Sequence, residues 1–416
     1  MGRLPFLIAG CLLLTAFDFY CVNAVLAVFK SWSSTTKKRF RTIYWTISIL
    51  LMIGVFAGIF LNIFLSLRAV ILVSFFLTTA CKIVMLPFLV LDDLRRLATG
   101  IIRKFRRPRR PQQSVGQAEP ISRSAFIVKA GIAAAAVPLT SLSWGIVSGA
   151  YDYQIRRQTL VLPNLPAAFD GIRMGQISDI HSGSFYNPKA VKGGVEMLLK
   201  EKTDFIFFTG DIVNDMATEM RDYQDIFSRV KAPLGVYSSL GNHDYGDYHF
   251  GREASPAKAK NLKDVIKTHE LMGWDLLMNT HRRLKVDGEE IGILGIENWG
   301  MGRFPKYGRM DLATKNTDDL PVKLLLSHDP SHWRAEVLPK YPQIDAMFSG
   351  HTHGMQFGVR TEKYQWSPIE YIYKEWAGLY QEQHQQLYVN VGYGFLGFPG
   401  RVGILPEITI FTLKRA

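Results

Sequence analysis

Four long apolar stretches, all within the first 150 residues, constrain this chain most strongly. Pro5–Phe29, Ile43–Leu67 and Ala69–Leu91 are rich in Leu, Ile, Val and Phe and are nearly free of charge. A helix of about 20 such residues crosses the hydrocarbon core of a bilayer, so these stretches predict three transmembrane helices. Ala125–Ala150 is richer in Ala, Gly and Ser. We expect a fourth span there, with a signal-like segment or a buried helix as alternatives.

Asp18 and Lys82 are the two charged residues inside the first three apolar stretches. A charge at mid-membrane often marks a functional site. The simpler interpretation, which we favour, is that Asp18 faces a neighbouring helix and Lys82 extends toward the lipid headgroups.

The net positive charge of the chain is concentrated in this first third, because acidic residues are scarce there. Residues 1–150 hold 18 of the 49 Lys and Arg but only 4 of the 36 Asp and Glu. Basic clusters stand at Lys37–Arg41 and Arg103–Arg110, and such loops stay cytoplasmic. Four crossings would therefore place the rest of the chain outside the cytoplasmic membrane. If 125–150 does not cross, the rest of the chain is cytoplasmic instead.

Composition also excludes some functions for the remainder of the chain. Acidic and basic residues nearly balance there, which argues against nucleic acid as a partner, because binding it needs a basic face. The only cysteines, Cys11, Cys21 and Cys81, lie in the apolar segments. Neither a disulfide framework nor a thiolate metal site is therefore expected in the globular part.

The predicted domains follow from these patterns. Residues 1–98 form three transmembrane helices, 99–124 a basic cytoplasmic linker, 125–150 the fourth helix and 158–416 a globular domain. In the globular domain short apolar runs alternate with amphipathic helices, which predicts an α/β fold with helices outside packed sheets. Helices are expected at 188–200, 219–230 and 261–272, and a hairpin at Asp287-Gly288.

Polar side chains that bind metals follow five successive predicted strands. In such folds the site lies beyond the carboxyl ends of the strands. We therefore expect these side chains to meet in one metal site. They are Asp179 and His181, Asp211, Asn242 and His243, His328, and His351 and His353.

The donor types indicate the metal and the chemistry. Carboxylates, imidazoles and one carboxamide without sulfur favour Mn, Fe or Zn. With one imidazole left unbound beside the metals, the other seven donors exceed the need of one ion, so we expect two divalent ions bridged by a carboxylate such as Asp211, about 3.5–4 Å apart. Such a pair generates hydroxide for attack on a phosphoryl group, and an adjacent imidazole can protonate the leaving group.

Five short motifs, in this order, resemble those of the calcineurin-like metallophosphoesterases over roughly residues 170–416. They are Asp-x-His at 179–181, Gly-Asp at 210–211, Gly-Asn-His-Asp at 241–244, His328 after an apolar strand, and Gly-His-Thr-His at 350–353. The segment from Gly392 to Ile408 resembles that of the membrane-anchored or exported branch. The resemblance implies a multi-span helical membrane region followed by a four-layer αββα sandwich.

The resemblance also implies roles for individual residues. One ion is expected on Asp179, His181 and His353, with Asp211 bridging. The second ion is expected on Asn242, His328 and His351. His243 would then be the general acid, oriented by Asp244.

Two further features have open interpretations. Arg401 lies on a loop bracketed by Gly and Pro and could bind the substrate phosphate, or it could be an ordinary surface arginine. The aromatic stretch 366–380 could line a pocket, enter the bilayer interface or simply pack.

The leading hypothesis is a membrane-anchored binuclear phosphoesterase, manganese-dependent for example, that hydrolyses a phosphomonoester or phosphodiester. A lipid-linked phosphate is one candidate substrate. The alternatives are a hydrolase of lipid or nucleotide pyrophosphates, and a membrane sensor that uses the same metal site without turnover. No pattern in the sequence indicates the natural substrate, the metal pair or the oligomeric state.

Overall fold

The computed structural model describes residues 3–61, 65–105 and 123–416. The chain divides into two compact units, Met1–Ser143 and Trp144–Ala416. Most of the predicted basic linker, including Arg106–Arg110, lies outside the described residues.

The first unit consists of long apolar helices. They are α1 (Arg3–Val28), α2 (Ser34–Phe60), α3 (Leu65–Phe105) and α4 (Arg123–Val147), whose last residues belong to the second unit. All four are long and apolar enough to cross a membrane, which confirms the four predicted apolar helices. Helix α3 continues 14 residues beyond the expected end at Leu91, into the predicted linker. The charged residues of this extension favour helix as readily as the apolar ones before it.

Asp18 and Lys82 contact each other inside this unit. Asp18 is buried, pairs with the Lys82 ammonium group, and accepts hydrogen bonds from Ser48 and, at 2.8 Å, from Tyr44. The pair therefore joins α1 to α3, and Lys82 does not extend toward the headgroups. A buried charge is tolerated when it is paired and hydrogen-bonded in this way.

The second unit contains fourteen described strands. They are β1 (Gln154–Leu162), β2 (Arg173–Ile177), β3 (Phe205–Thr209), β4 (Val236–Ser239), β5 (Asp275–Leu276), β6 (Thr280–Val286), β7 (Glu289–Gly295), β8 (Lys323–Leu326), β9 (Ala346–Ser349), β10 (Val359–Arg360), β11 (Gln365–Trp366), β12 (Gly378–Glu382), β13 (Gln385–Val389) and β14 (Glu407–Arg415). One six-stranded sheet has the order β1-β14-β2-β3-β4-β5, and the other has the order β12-β13-β9-β8-β7-β6. Strands β10 and β11 form a separate two-stranded sheet.

The helices of this unit lie between the strands along the chain. They are α5 (Pro188–Lys200), α6 (Gln224–Phe227), α7 (Asp247–Phe250), α8 (Pro256–Met272), α9 (Met310–Ala313) and α10 (Leu338–Lys340). A π-helical segment, Trp333–Val337, leads into α10.

The two large sheets pack face to face with helices outside, so the predicted four-layer α/β sandwich is confirmed. Phe205 and Phe207 point into the core between the sheets, where Phe207 contacts Phe348 of the other sheet. Ile206 and Phe208 point to the opposite face and pack with residues of α5 and α8. Because both faces are covered, β3 is apolar throughout rather than alternating.

Local predictions failed where contacts outside the segment decide the conformation. The expected helix over 219–230 is a 3-10 turn (Ala217–Met220) followed by the single-turn α6. Strand β1 begins at Gln154, before residue 158, and pairs in parallel with β14 at the far end of the chain. The hairpin at Asp287-Gly288 is confirmed, and both residues have positive φ as a tight hairpin turn requires.

Candidate metal centre

Every predicted metal ligand lies on a loop that directly follows a strand of one of the two large sheets. The first sheet supplies Asp179 and His181 after β2, Asp211 after β3 and Asn242 after β4. The second sheet supplies His328 after β8, and His351 and His353 after β9. Strands β2, β3 and β4 run parallel to one another, as do β8 and β9, so their carboxyl ends share an edge.

The backbone is left-handed at five of these ligands. Positive φ angles between 49° and 73° occur at Asp179, His181, Asp211, His351 and His353. Residues with a Cβ rarely adopt this conformation, and it is concentrated at functional sites because it costs free energy. Hydrogen bonds between the loops stabilise this left-handed conformation. The Asp179 amide, for example, donates to the Gly210 carbonyl at 2.9 Å.

Two glycines let these loops approach the carboxylates closely. A Cβ at Gly350 would clash with the Asp179 carboxylate and the Ser178 hydroxyl. A Cβ at Gly241 would clash with the Asp211 carboxylate. Only glycine therefore fits at either position without moving a predicted ligand.

Asp179, His181 and His353 form the first group of donors. Their ligand atoms lie within 4.8 Å of one another, and all three residues are buried. Nε2 of His353 is 3.3 Å from Oδ1 of Asp179.

Asp211, His328 and His351 form the second group, also within 4.8 Å. Oδ1 of Asn242 joins it, 2.8 Å from Nδ1 of His351. Asp211 lies between the two groups, because its Oδ2 is 3.0 Å from Nε2 of His328 and 3.6 Å from Nε2 of His181. The structure thus brings together the seven side chains predicted to bind metal.

The donor atoms of this cluster fit divalent ions. Both ring nitrogens of His181 are buried without a hydrogen-bond partner among the described residues, whereas Nε2 of His328 and of His353 faces the Asp211 and Asp179 carboxylates. Burying an unpartnered polar atom costs about 1–3 kcal/mol, so such atoms call for a ligand. Carboxylate, imidazole and carboxamide donors match transition metals such as Mn, Fe or Zn.

Proton equilibria in the cluster keep the carboxylates charged. Burial by itself would raise the pKa of Asp179, but the imidazoles of His353 and His328 hold that pKa well below its usual range. Burial would lower the pKa of His328, but the Asp211 carboxylate raises it to about 10. Burial dominates at His181 and lowers its pKa, so that ring is neutral and can donate a lone pair.

His243 stands beside the cluster with one ring nitrogen occupied. Its Nδ1 is 2.7 Å from the carbonyl oxygen of Asn214, and its ring is 4.9 Å from that of His181. A carbonyl can only accept, so Nδ1 carries a proton and Nε2 is the remaining nitrogen. The ring of Tyr248 stacks on His243 at 4.5 Å, and the Tyr248 hydroxyl accepts from the Asn242 amide.

We expected Asp244 to orient the His243 ring, but among the described residues its hydrogen bonds go elsewhere. Its buried carboxylate instead accepts backbone hydrogen bonds, from the amides of Asp211, Ile212 and Gly241 at 2.8–2.9 Å. Asp244 thus fixes the loop after β3 against the loop after β4, and the Asn214 carbonyl orients His243.

Arg401, predicted either to bind the substrate phosphate or to be an ordinary surface arginine, is not on the surface. Its guanidinium group is buried and donates to the carbonyl oxygens of Val391, Gly394 and Ile404. Nη2 also lies 3.3 Å from Nδ1 of His353. Burial lowers the pKa of Arg401 to about 10. Arg401 therefore supports the loop behind a predicted ligand.

Sequence reasoning missed Tyr373 and Asp329. The Tyr373 hydroxyl is 2.8 Å from Nε2 of His351 and 3.4 Å from Oδ2 of Asp329. Such outer contacts fix which ring nitrogen faces a metal. Asp329 directly follows the predicted ligand His328 in the sequence, so it could have been identified as a candidate site residue. Tyr373 stands in the aromatic stretch 366–380, where no sequence pattern separates it from its neighbours.

Two family profiles match this chain in sequence. The profile described as "Probable Calcineurin-like phosphoesterase, transmembrane domain" matches residues 3–150. The profile "Calcineurin-like phosphoesterase" matches residues 172–355, which include all seven predicted ligands.

Three curated relatives are similar to this chain over 60–66% of its length. A transmembrane protein with a metallophosphoesterase domain from Danio rerio is 27% identical over 66% of this chain and 60% of the relative. An uncharacterized metallophosphoesterase from Bacillus subtilis is 30% identical over 60% of this chain and 82% of the relative. A UDP-2,3-diacylglucosamine pyrophosphatase from Chlamydia trachomatis is 26% identical over 65% of this chain and 93% of the relative. The chain thus spans less than two thirds of the Danio rerio relative.

Proposed function

Because the chain belongs to the calcineurin-like phosphoesterase family and carries that family's transmembrane domain, we propose that it is a membrane-anchored, metal-dependent phosphoesterase. Its substrate is a phosphomonoester or phosphodiester. The observation that carries the proposal is the pair of donor groups on either side of Asp211, with His243 beside them.

The residues of the cluster have different roles in such a reaction. Asp179, His181 and His353 would hold one divalent ion, Asn242, His328 and His351 the other, and Asp211 both. Divalent ions at such a site polarise a phosphoryl group and make hydroxide available at neutral pH.

His243 supplies the proton to the leaving group in this proposal. Its Nδ1 proton is held by the Asn214 carbonyl, so the ring donates from Nε2 when it is protonated. The ring is partly exposed, unlike the buried imidazoles of His181 and His328 behind it. Protonation of the leaving oxygen by a positioned imidazole typically contributes about 10²–10⁴-fold to the rate.

Turnover of bis(4-nitrophenyl) phosphate by the full chain in detergent, with Mn added, tests this function. With an alkyl phosphate ester, whose leaving alkoxide needs a proton, His243→Ala should lose about 10²–10⁴-fold in kcat while it retains bound metal. The matched control is His249→Ala, an exposed histidine on α7, which should keep full activity. Unchanged turnover of the alkyl ester by His243→Ala would refute the acid role.

Hydrolysis of a pyrophosphate bond is the second candidate. It is favoured by the similarity to the UDP-2,3-diacylglucosamine pyrophosphatase over most of that relative. A nucleotide-sugar diphosphate, assayed beside the aryl phosphate, separates the two because it would yield two phosphomonoesters. Metal binding without turnover of any phosphate ester or pyrophosphate would favour a sensor.

The proposed location is the cytoplasmic membrane, with the catalytic unit on the extracytoplasmic side. The positive-inside rule supports it, applied to Lys37–Arg41 and Arg103–Arg110 together with four spans. A lipid-linked phosphate ester is the substrate class that best suits an anchored hydrolase.

A further inference from the structure

The segment Met355–Arg360 points its polar side chains inward and its apolar side chains outward. Met355, Phe357 and Val359 are each more than 40% exposed. Between them Gln356 is buried, and most of Arg360 is covered by its contact with Glu407. A strand at the surface normally shows the opposite alternation, with polar residues toward water.

The inward polar residues fix this orientation firmly. The Gln356 amide donates to the carbonyls of Phe398 and Gly400 at 2.8 and 2.9 Å and accepts from the Leu396 amide. Arg360 pairs with the buried Glu407 at the start of β14. Turning the segment over would leave these groups without partners, so the outward apolar face is built into the fold.

More apolar side chains extend this face. The hairpin of β10 and β11 exposes Tyr364 at its tip, and Tyr371 and Ile372 are 78% and 69% exposed. Their segments are joined, because the Ser367 hydroxyl donates to the Gly354 carbonyl at 2.7 Å. We call Met355, Phe357, Val359, Tyr364, Tyr371 and Ile372 the apolar rim.

The apolar rim lies next to the end of a candidate membrane span. Val402 hydrogen-bonds Gln356 and Gly358 of the rim segment through its backbone, at 2.8 and 2.9 Å. The same loop contacts the end of α4, where the Arg401 amide donates to the Gly145 carbonyl at 3.1 Å. That span extends to Tyr151, and its residues Trp144 and Val147 are 70% and 80% exposed. The last residues of α4, which belong to the second unit, therefore lie beside the loop that hydrogen-bonds the segment Met355–Arg360.

We propose that the apolar rim is a lipid-contacting surface that inserts into the interface of the bilayer crossed by α4. Aromatic residues are enriched at this depth because their rings are amphipathic, and Trp144, Tyr364 and Tyr371 fit that pattern. An isolated two-stranded hairpin is marginally stable in water, and lipid contact would cover its apolar face.

The rim also defines how the metal centre meets the membrane. Met355 is two residues from His353, and His353 belongs to the first donor group. A rim inserted at the acyl–headgroup boundary would hold the loop that carries His353 close to the amphipathic molecules of the bilayer.

Spin labels test the rim in the full chain, reconstituted in phosphatidylethanolamine–phosphatidylglycerol vesicles. The only cysteines are Cys11, Cys21 and Cys81, and replacing all three with Ala gives a clean background. Labels at Phe357→Cys, Val359→Cys and Tyr371→Cys should collide more with oxygen than with a water-soluble nickel chelate. Labels at Leu271→Cys and Leu312→Cys, equally exposed apolar positions on α8 and α9, should show the reverse.

A photoactivatable phospholipid tests the same surface on the unsubstituted chain, should the cysteine-free variant not fold. Cross-links should map to residues 355–373 and be absent from 261–276. Rim labels as accessible to nickel as the controls would overturn the proposal. Dipolar broadening between the rim labels of two copies, together with little collision of the labels with oxygen, would also overturn the proposal, because the rim would then be a protein interface.

Discussion

Tyr373 contributes to the candidate site through a single hydroxyl group. Tyr373→Phe removes the contact with Nε2 of His351 and frees that ring to turn away from Asn242. We expect metal affinity to fall by about 10–100-fold, as for other outer-shell partners of metal-binding histidines. Calorimetric titration of the metal-free full chain with Mn measures it. Tyr371→Phe is the matched control, since Tyr371 is exposed and should leave the titration unchanged.

Arg401 should behave as a supporting residue rather than a substrate contact. Arg401→Met leaves the carbonyls of Val391, Gly394 and Ile404 without their donor. We expect stability to fall by roughly 1–3 kcal/mol for each buried carbonyl that is left unsatisfied.

Thermal unfolding and steady-state kinetics of the conservative variant distinguish the two roles of Arg401. Arg401→Lys should lower the Tm, because a lysine cannot reproduce the planar set of donors. A raised KM for the aryl phosphate with an unchanged Tm would instead show that Arg401 binds substrate.

At the scale of elements, α8 carries a buried histidine that makes the stability of the fold depend on pH. His269 packs against β4, where its Nδ1 is 3.0 Å from the Ser238 hydroxyl. Burial lowers its pKa from 6.5 to about 3. The unfolded chain therefore binds a proton that the folded chain excludes. The stability that depends on a neutral His269 should be fully present above pH 6.5. The free energy of unfolding should fall by roughly 1.4 kcal/mol per pH unit as the pH drops from there toward 3.

His269→Gln should flatten this acid limb, measured as Tm against pH for the full chain. His384→Gln is the control, because His384 is exposed and its replacement should leave the slope as in the wild type. An acid limb in His269→Gln as steep as in the wild type would show that other groups cause it.

At the scale of the whole molecule, the side of the membrane on which the catalytic unit lies depends on whether α4 crosses. Four crossings place exposed Lys285 of β6 outside and Lys38 of α2 in the cytoplasm. In sealed right-side-out vesicles, Lys285→Cys should react with an impermeant maleimide. Lys38→Cys should react only after the vesicles are opened. If Lys285→Cys reacted only after the vesicles were opened, the catalytic unit would lie on the cytoplasmic side.

The sequence by itself determined the four apolar helices, the strands that end in Asp179, Asp211, Asn242, His328 and His351, and the family. These features depend on local composition and on short motifs. Hydrophobic length identifies a span and periodicity a strand, and loops after parallel strands share one edge of a sheet.

Only the tertiary structure decided what surrounds those motifs. Four features depend on residues that are distant in the chain. They are the burial of Arg401 beside His353, the hydrogen bond from the Asp211 amide to Asp244, the contact of Tyr373 with His351, and the outward apolar face of Met355–Arg360. The helix expected at 219–230 failed for the same reason, since packing overrides local propensity. Short-range patterns hold no information about which distant carbonyl, carboxylate or ring will lie against a side chain, because that choice is made by packing.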